Sequence, residues 1–196
     1  MKERPILFKT AMVQAILAGR KTQTRRIAKD VTFNEKTGFC CKGWAHGIGS
    51  SYKETMNHIL TSKYGPCLAV GDRLWVRETF GDCGTRLTYK ADVDDGAHCM
   101  VKRWIPSIHM PRAACRIVLE ITGVRVERVI AISDSDAKAE GVEPSLVGAD
   151  LNHIAHVVAF QDLWQSIYGN WDSHPWVWVI EFKVLTTNGV VPEVAA

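Results

Sequence analysis

The sequence predicts an α+β fold: a small, mostly antiparallel β-barrel with flanking helices and irregular insertions. Three observations predict it. Several stretches alternate apolar and polar residues with period two. A few others repeat apolar residues at i, i+3 and i+4. No regular strand–helix–strand alternation links them, which argues against a parallel sheet, and a barrel is the natural closure for such strands.

Taken in order, Ile6-Leu7-Phe8 is a short apolar strand, and Thr10 is placed to cap the helix that follows. Val13, Ile16 and Leu17 give that helix one buried face, and Gly19 stands where a left-handed residue ends it. The run Arg20-Lys21-Thr22-Gln23-Thr24-Arg25-Arg26 then begins just past a helix end, the place of a binding loop. Residues 30–66 hold several glycines and little periodicity, and read as an irregular insertion and candidate lid. Gly71-Asp72 is a turn into a strand over 73–79, with Leu74, Val76 and Glu78 on one face and Trp75 and Arg77 on the other. Tyr89-Lys90-Ala91 is a partner strand, and 92–112 is loop.

The second half is more regular. Residues 116–122 alternate, Gly123 breaks the pattern, and 124–129 resume it as another strand or a bent continuation. Ser133 caps a short helix with an acidic start over 134–140, which Gly141 stops. A longer helix begins near Asp150 with the stripe Leu151, Ile154, Ala155, Val158, Leu163, Trp164 and Ile167. Residues 176–185 form a strand whose first half is apolar on both faces and therefore central.

Composition narrows the function classes. A chain of 196 residues, 46% hydrophobic and 23% charged, can bury a full core as one domain with insertions at about 30–66 and 80–112. A net charge of +3 permits an anionic partner without demanding one. No apolar run is long enough for a membrane span, and no secretory signal precedes the six cysteines, so a cytoplasmic chain with reduced thiols is expected. Cys40, Cys41, His46 and His58 lie close in sequence, but no C-x-x-C pair occurs and adjacent cysteines rarely ligate one tetrahedral metal. Half-buried thiols, with no metal and no cofactor, are the reading.

The densest chemistry is Arg20, Lys21, Arg25 and Arg26 interleaved with Thr22 and Thr24. Guanidinium and ammonium donors beside hydroxyls suit a phosphate or a polar planar base, although a solvated basic turn has the same composition. Gly19-Arg20-Lys21-Thr22-Gln23-Thr24-Arg25-Arg26 after an amphipathic helix resembles the G-x-K-T-x-T-x-R signature of the ASCH domain family, of the PUA-like superfamily. The likeness continues in Gly71-Asp72-Arg73-Leu74, in residues 116–141 and in Trp178-Val179-Ile180-Glu181-Phe182. Residues 73–79 and 107–112 are similar to ASCH proteins carried by phages and prophages.

The resemblance implies a PUA-like barrel whose cleft suits RNA, a nucleotide or a modified nucleoside. Some small bacterial members remove acetyl from N4-acetylcytidine with a lysine, a threonine and a glutamate, which match Lys21, Thr24 and Glu140 here. The chemistry is coherent: Lys21 takes the proton of Thr24 as its hydroxyl attacks an amide carbonyl. Glu140 orients the lysine or relays a proton, and Arg26 stabilises the oxyanion or holds the pyrimidine. Lys21 equally suits a phosphate cation, Thr24 a hydroxyl bonding its own backbone, and Glu140 a solvated helix residue. Arg20, Thr22, Arg25, Arg26, Arg77, Glu78 and Trp75 are the candidate substrate-binding residues, Glu78 being the alternative carboxylate. Trp176, Trp178 and His109 are weaker candidates. Three functions stay open: deacylation of a modified pyrimidine, RNA binding without catalysis, and ribonuclease action.

Overall fold

A computed structural model describes residues 1–29, 31–34, 38–41, 44–46, 68–145 and 149–190. The chain divides into two compact units. One contains Met1–Thr22, Gly71–Glu120 and Phe182–Ala196; the other contains Gln23–Val70 and Ile121–Glu181.

In the first unit, β1 (Glu3–Leu7) leads into α1 (Thr10–Leu17). Thr10 is the first helical residue rather than the cap; Lys9 takes that position with no side-chain hydrogen bond. Val13, Ala15 and Ile16 are the buried positions, while Leu17 faces solvent. The helix ends as the sequence predicts. Gly19, at φ +72°, lets its N–H reach the Ile16 carbonyl at 3.0 Å and the Arg20 N–H reach Ala15 at 2.8 Å. That pair of bonds is the Schellman arrangement.

Strand β6 (Arg73–Arg77) lies parallel to β1, with Ile6 opposite Val76, and antiparallel to the start of β9 (Val118–Arg128), with Leu74 opposite Leu119. Its alternation is as expected: Leu74, Val76 and Glu78 point inward. Phe8 and Phe182 meet at 6.3 Å between ring centroids in the core of this unit. A hairpin of β7 (Phe80–Asp82) and β8 (Leu87–Tyr89) packs Phe80 beside Met110 and Ala114. Tyr89 thus pairs with Phe80 of β7 and ends its strand, so Lys90 and Ala91 lie beyond it.

In the second unit, residues 23–26 are not a loop. They form β2 (Gln23–Ile27), which pairs antiparallel with β10 (Trp176–Thr186), Thr24 opposite Ile180 and Arg25 opposite Val179. The described parts of 30–66 are β3 (Val31–Asn34), β4 (Gly38–Cys41) and β5 (Trp44–His46), an antiparallel meander rather than irregular chain. The rest of that insertion, including His58, lies outside the described residues, as do the side chains of Cys41 and His46.

Strand β9 (Val118–Arg128) runs straight through Gly123 instead of breaking there. A Cβ on Gly123 would stand 2.6 Å from a Glu181 carboxylate oxygen, so the glycine makes room for a neighbouring side chain. Ser133 caps α2 (Asp134–Ala139), its hydroxyl accepting the Asp136 N–H at 3.1 Å. After a 3-10 stretch at Ala149–Ile154, α3 (Ala155–Tyr168) buries Ala155, Phe160 and Trp164. Phe160 was absent from the predicted stripe, which the structure rotates toward it. Val129, Phe160, Trp164, Trp171, Val177 and Val179 form this unit's core.

The larger sheet has the order β1-β6-β9-β10-β2, and the barrel expected from the sequence does not close. The strands available for closure pair among themselves instead: β3-β4-β5 is a separate three-stranded sheet and β7-β8 a two-stranded one. The architecture is mixed α+β and includes the parallel pair of β1 with β6, whose connection is long enough for the crossover that parallel strands need. No helix among the described residues is long and apolar enough to cross a membrane.

Candidate functional site

The basic run is mostly interior. In the first unit Lys21 is 1% exposed, with its ammonium 5.5 Å from the centroid of the Phe8 ring. Its N–H shares the Ala15 carbonyl that closes α1. Arg20 and Thr22, on either side of it, are exposed. A Lys–aromatic contact contributes about 0.5–2 kcal/mol toward holding the ammonium there.

In the second unit β2 alternates, so Gln23 and Arg25 project from one face and Thr24 and Arg26 from the other. Thr24 is 1% exposed, Arg25 2%, and Arg26 half-buried. The Arg25 guanidinium meets Glu140 at 3.2 Å, Glu127 at 3.3 Å and Asp136 at 3.4 Å. Its Nε is buried without a hydrogen-bond partner among the described residues. Glu140, 4% exposed, is the C-cap of α2, so capping by Ser133 and the stop at Gly141 deliver its carboxylate to Arg25. The Gln23 amide donates to the Asp136 carbonyl at 2.6 Å and to its carboxylate at 3.1 Å. Arg125 adds ion pairs to Glu127, Glu181 and Asp136. Burial pushes the Asp136 carboxyl up, but the Gln23 amide and the Arg25 guanidinium outweigh it and hold the group below its ordinary range.

The structure therefore brings Arg25 and Glu140 together, in a network where four carboxylates surround two guanidiniums. Nothing local marks Glu127 and Asp136 as its members beyond their acidic type; only the pairing of β2 with β10 and the position of α2 gather them.

The other candidates lie in the first unit. Glu78, 1% exposed, receives two bonds of 3.0 Å from the Arg116 guanidinium, which also reaches Asp92 at 2.7 Å and stacks 4.0 Å from the Tyr89 ring centroid. Burial pushes the Glu78 carboxyl up, and Arg116 only partly pulls it back. Arg77 lies 5.4 Å over the Trp75 ring and donates to the Ile108 carbonyl. His109 lines a cavity of about 630 Å³ with Cys83, Lys102 and Arg103. Trp178 and Trp176 belong to the second unit: Trp178 is buried, and Trp176 is held between Phe39 at 5.2 Å and Arg128 at 4.2 Å. Arg116 was missed from the sequence; an acid on the apolar face of β6 was the signal that a buried cation had to exist. Among the described residues, no cluster of His, Cys, Asp and Glu suits a metal ion.

No family model matches the chain, and no curated protein matches it. Among solved structures it is similar to a DUF984-family protein from Enterococcus faecalis V583, with a TM-score of 0.39 and 11% identity. That alignment covers 95% of this chain and 77% of the other. It is also similar to an ASCH domain from Lactobacillus crispatus JV V101, with a TM-score of 0.38 and 16% identity, over 93% and 79% of the two chains.

Proposed function

We propose that this protein is an ASCH-type module, of the kind carried by phages, that binds RNA or a modified nucleoside and removes an acyl group from a pyrimidine such as N4-acetylcytidine. The observation that carries this reading is the burial of Lys21 inside a run whose neighbours Arg20 and Thr22 are exposed. A solvated basic turn does not bury its lysine, and strongly desolvated titratable groups concentrate at sites of chemistry. The resemblance of residues 19–26 to the ASCH signature supplies the substrate class.

In this reading Lys21 accepts the proton of the Thr24 hydroxyl as that oxygen attacks the amide carbonyl. The amine leaves with a proton returned from Lys21, and water then hydrolyses the acyl-threonine, so that cytidine and acetate are the products. Glu140 is a positioning carboxylate whose own orientation is fixed by Arg25. Arg20 and Arg26 hold the nucleoside or the flanking phosphates. RNA binding without turnover is the second reading, favoured by the exposed Arg20 and Lys29 at either end of the run.

Binding is tested by titrating N4-acetylcytidine and a short single-stranded RNA into the protein at several salt concentrations. RNA affinity is expected to fall steeply with salt, and Lys21→Ala to weaken both ligands while the protein stays folded. Wild type that binds neither ligand refutes the proposal; salt-independent RNA binding removes its phosphate component.

A further inference from the structure

The first unit contains a polar cavity separate from the residues just discussed. Residues of β8, the loop that follows it and Arg116 line a volume of about 470 Å³, in the usual range for a small-molecule site. Two guanidiniums on its walls, Arg116 and Arg86, are matched by Asp92 and Asp95, to which they are paired. The lining is charge-balanced. A phosphate or carboxylate would have to break the 2.7 Å Arg116–Asp92 pair to be neutralised, whereas an uncharged ligand carrying both donors and acceptors would not.

The wall is also built, not incidental. Glu78 holds Arg116 by two bonds, and Arg116 stacks on Tyr89, whose hydroxyl is fixed by the Ala114 carbonyl at 2.9 Å. His98 is held between the Tyr89 carbonyl at 3.3 Å and the edge of Trp104 at 5.1 Å. One group in the lining is poorly satisfied. Thr88 is 5% exposed, and its hydroxyl makes no hydrogen bond of good geometry among the described residues. The Cys83 thiol on the same hairpin is its weak sulfur neighbour, shared with the Arg86 carbonyl and the Thr85 hydroxyl. A buried hydroxyl left without a partner costs about 1–3 kcal/mol, which a ligand bond would recover.

We propose that this cavity binds a nucleobase of guanine type. The guanine edge places two N–H donors beside a carbonyl acceptor, the complement of a carboxylate beside a guanidinium. Asp92 accepts from the ring N–H and amino group, Arg116 donates to the carbonyl, and the Thr88 hydroxyl gains a well-aligned partner. The inference does not rest on the reading of residues 19–26.

The test is calorimetric titration of the full chain with guanosine, adenosine, uridine and inorganic phosphate. Guanosine is expected to bind and phosphate not to. Thr88→Val should weaken guanosine about tenfold, the worth of one hydrogen bond, while the urea midpoint stays level or rises because a poorly bonded hydroxyl is replaced by a methyl. Lys21→Ala should leave guanosine binding intact. The proposal is overturned if phosphate binds and nucleosides do not, if none of the four binds, if Thr88→Val leaves guanosine affinity unchanged, or if Lys21→Ala abolishes it.

Discussion

Arg25 sits inside the protein with three carboxylates around it, and its worth is set by what its removal leaves behind. Glu140 is nearly as buried, so Arg25→Ala removes a charge partner from a carboxylate held away from water. Breaking a buried pair from one side costs about 3–5 kcal/mol. We expect Arg25→Ala to lower unfolding free energy by about 3 kcal/mol in urea titration, and Arg25→Lys to recover only part, since an ammonium cannot serve several carboxylates as a planar fork does. An unchanged midpoint for Arg25→Ala would show that the network is solvated. None of this was legible in the residue itself. The sequence marks an arginine in a basic run; whether it faces ligand or carboxylates depends on strand register and on a helix more than a hundred positions away.

Elements were easier to read than their ends and faces. The Gly19 stop, the Ser133 cap and the two-sided burial of β10 all follow from local chemistry, and the structure has each. Thr10 does not cap because the first helical turn begins on it, and such a one-residue shift is within the usual uncertainty of helix boundaries. The misread glycine is more instructive. Gly123 has the look of a strand break, but its meaning lies across the sheet, where the Glu181 carboxylate occupies the space of a Cβ. Gly123→Ala should cost under about 1 kcal/mol, because it is the flexible end of Glu181 that moves away from Arg125. The urea midpoint reads this directly. Glu181→Ala in the Gly123→Ala background should abolish most of the penalty, and additive effects would contradict the explanation.

At the scale of the whole molecule, composition and periodicity gave the α+β class, and the structure has it. They did not give the pairing of strands. A period-two pattern states which face is buried, not which neighbour a strand takes, so a closed barrel was an equally good solution to the same pattern. Stability against acid belongs to this scale as well. Asp136 titrates below its ordinary 3.8 in the folded protein. The stability it contributes is therefore fully present above that unfolded value and is lost as pH falls through the lower, folded one. Asp136→Asn should reduce stability at neutral pH and flatten the decline below about pH 4. Parallel stability–pH curves for the two proteins would show that Asp136 is not coupled to Gln23 and Arg25 as described.

The central functional claim is that a lysine withdrawn from water and a threonine three positions on perform acyl transfer. Its most direct measurement is the release of cytidine from N4-acetylcytidine, followed by chromatography, with circular dichroism confirming that every protein used is folded. The account predicts turnover by wild type, none by Lys21→Ala or Thr24→Ala, and a rate loss in Glu140→Gln. Folded wild type that releases no cytidine, or Lys21→Ala that releases it at the wild-type rate, would contradict the account.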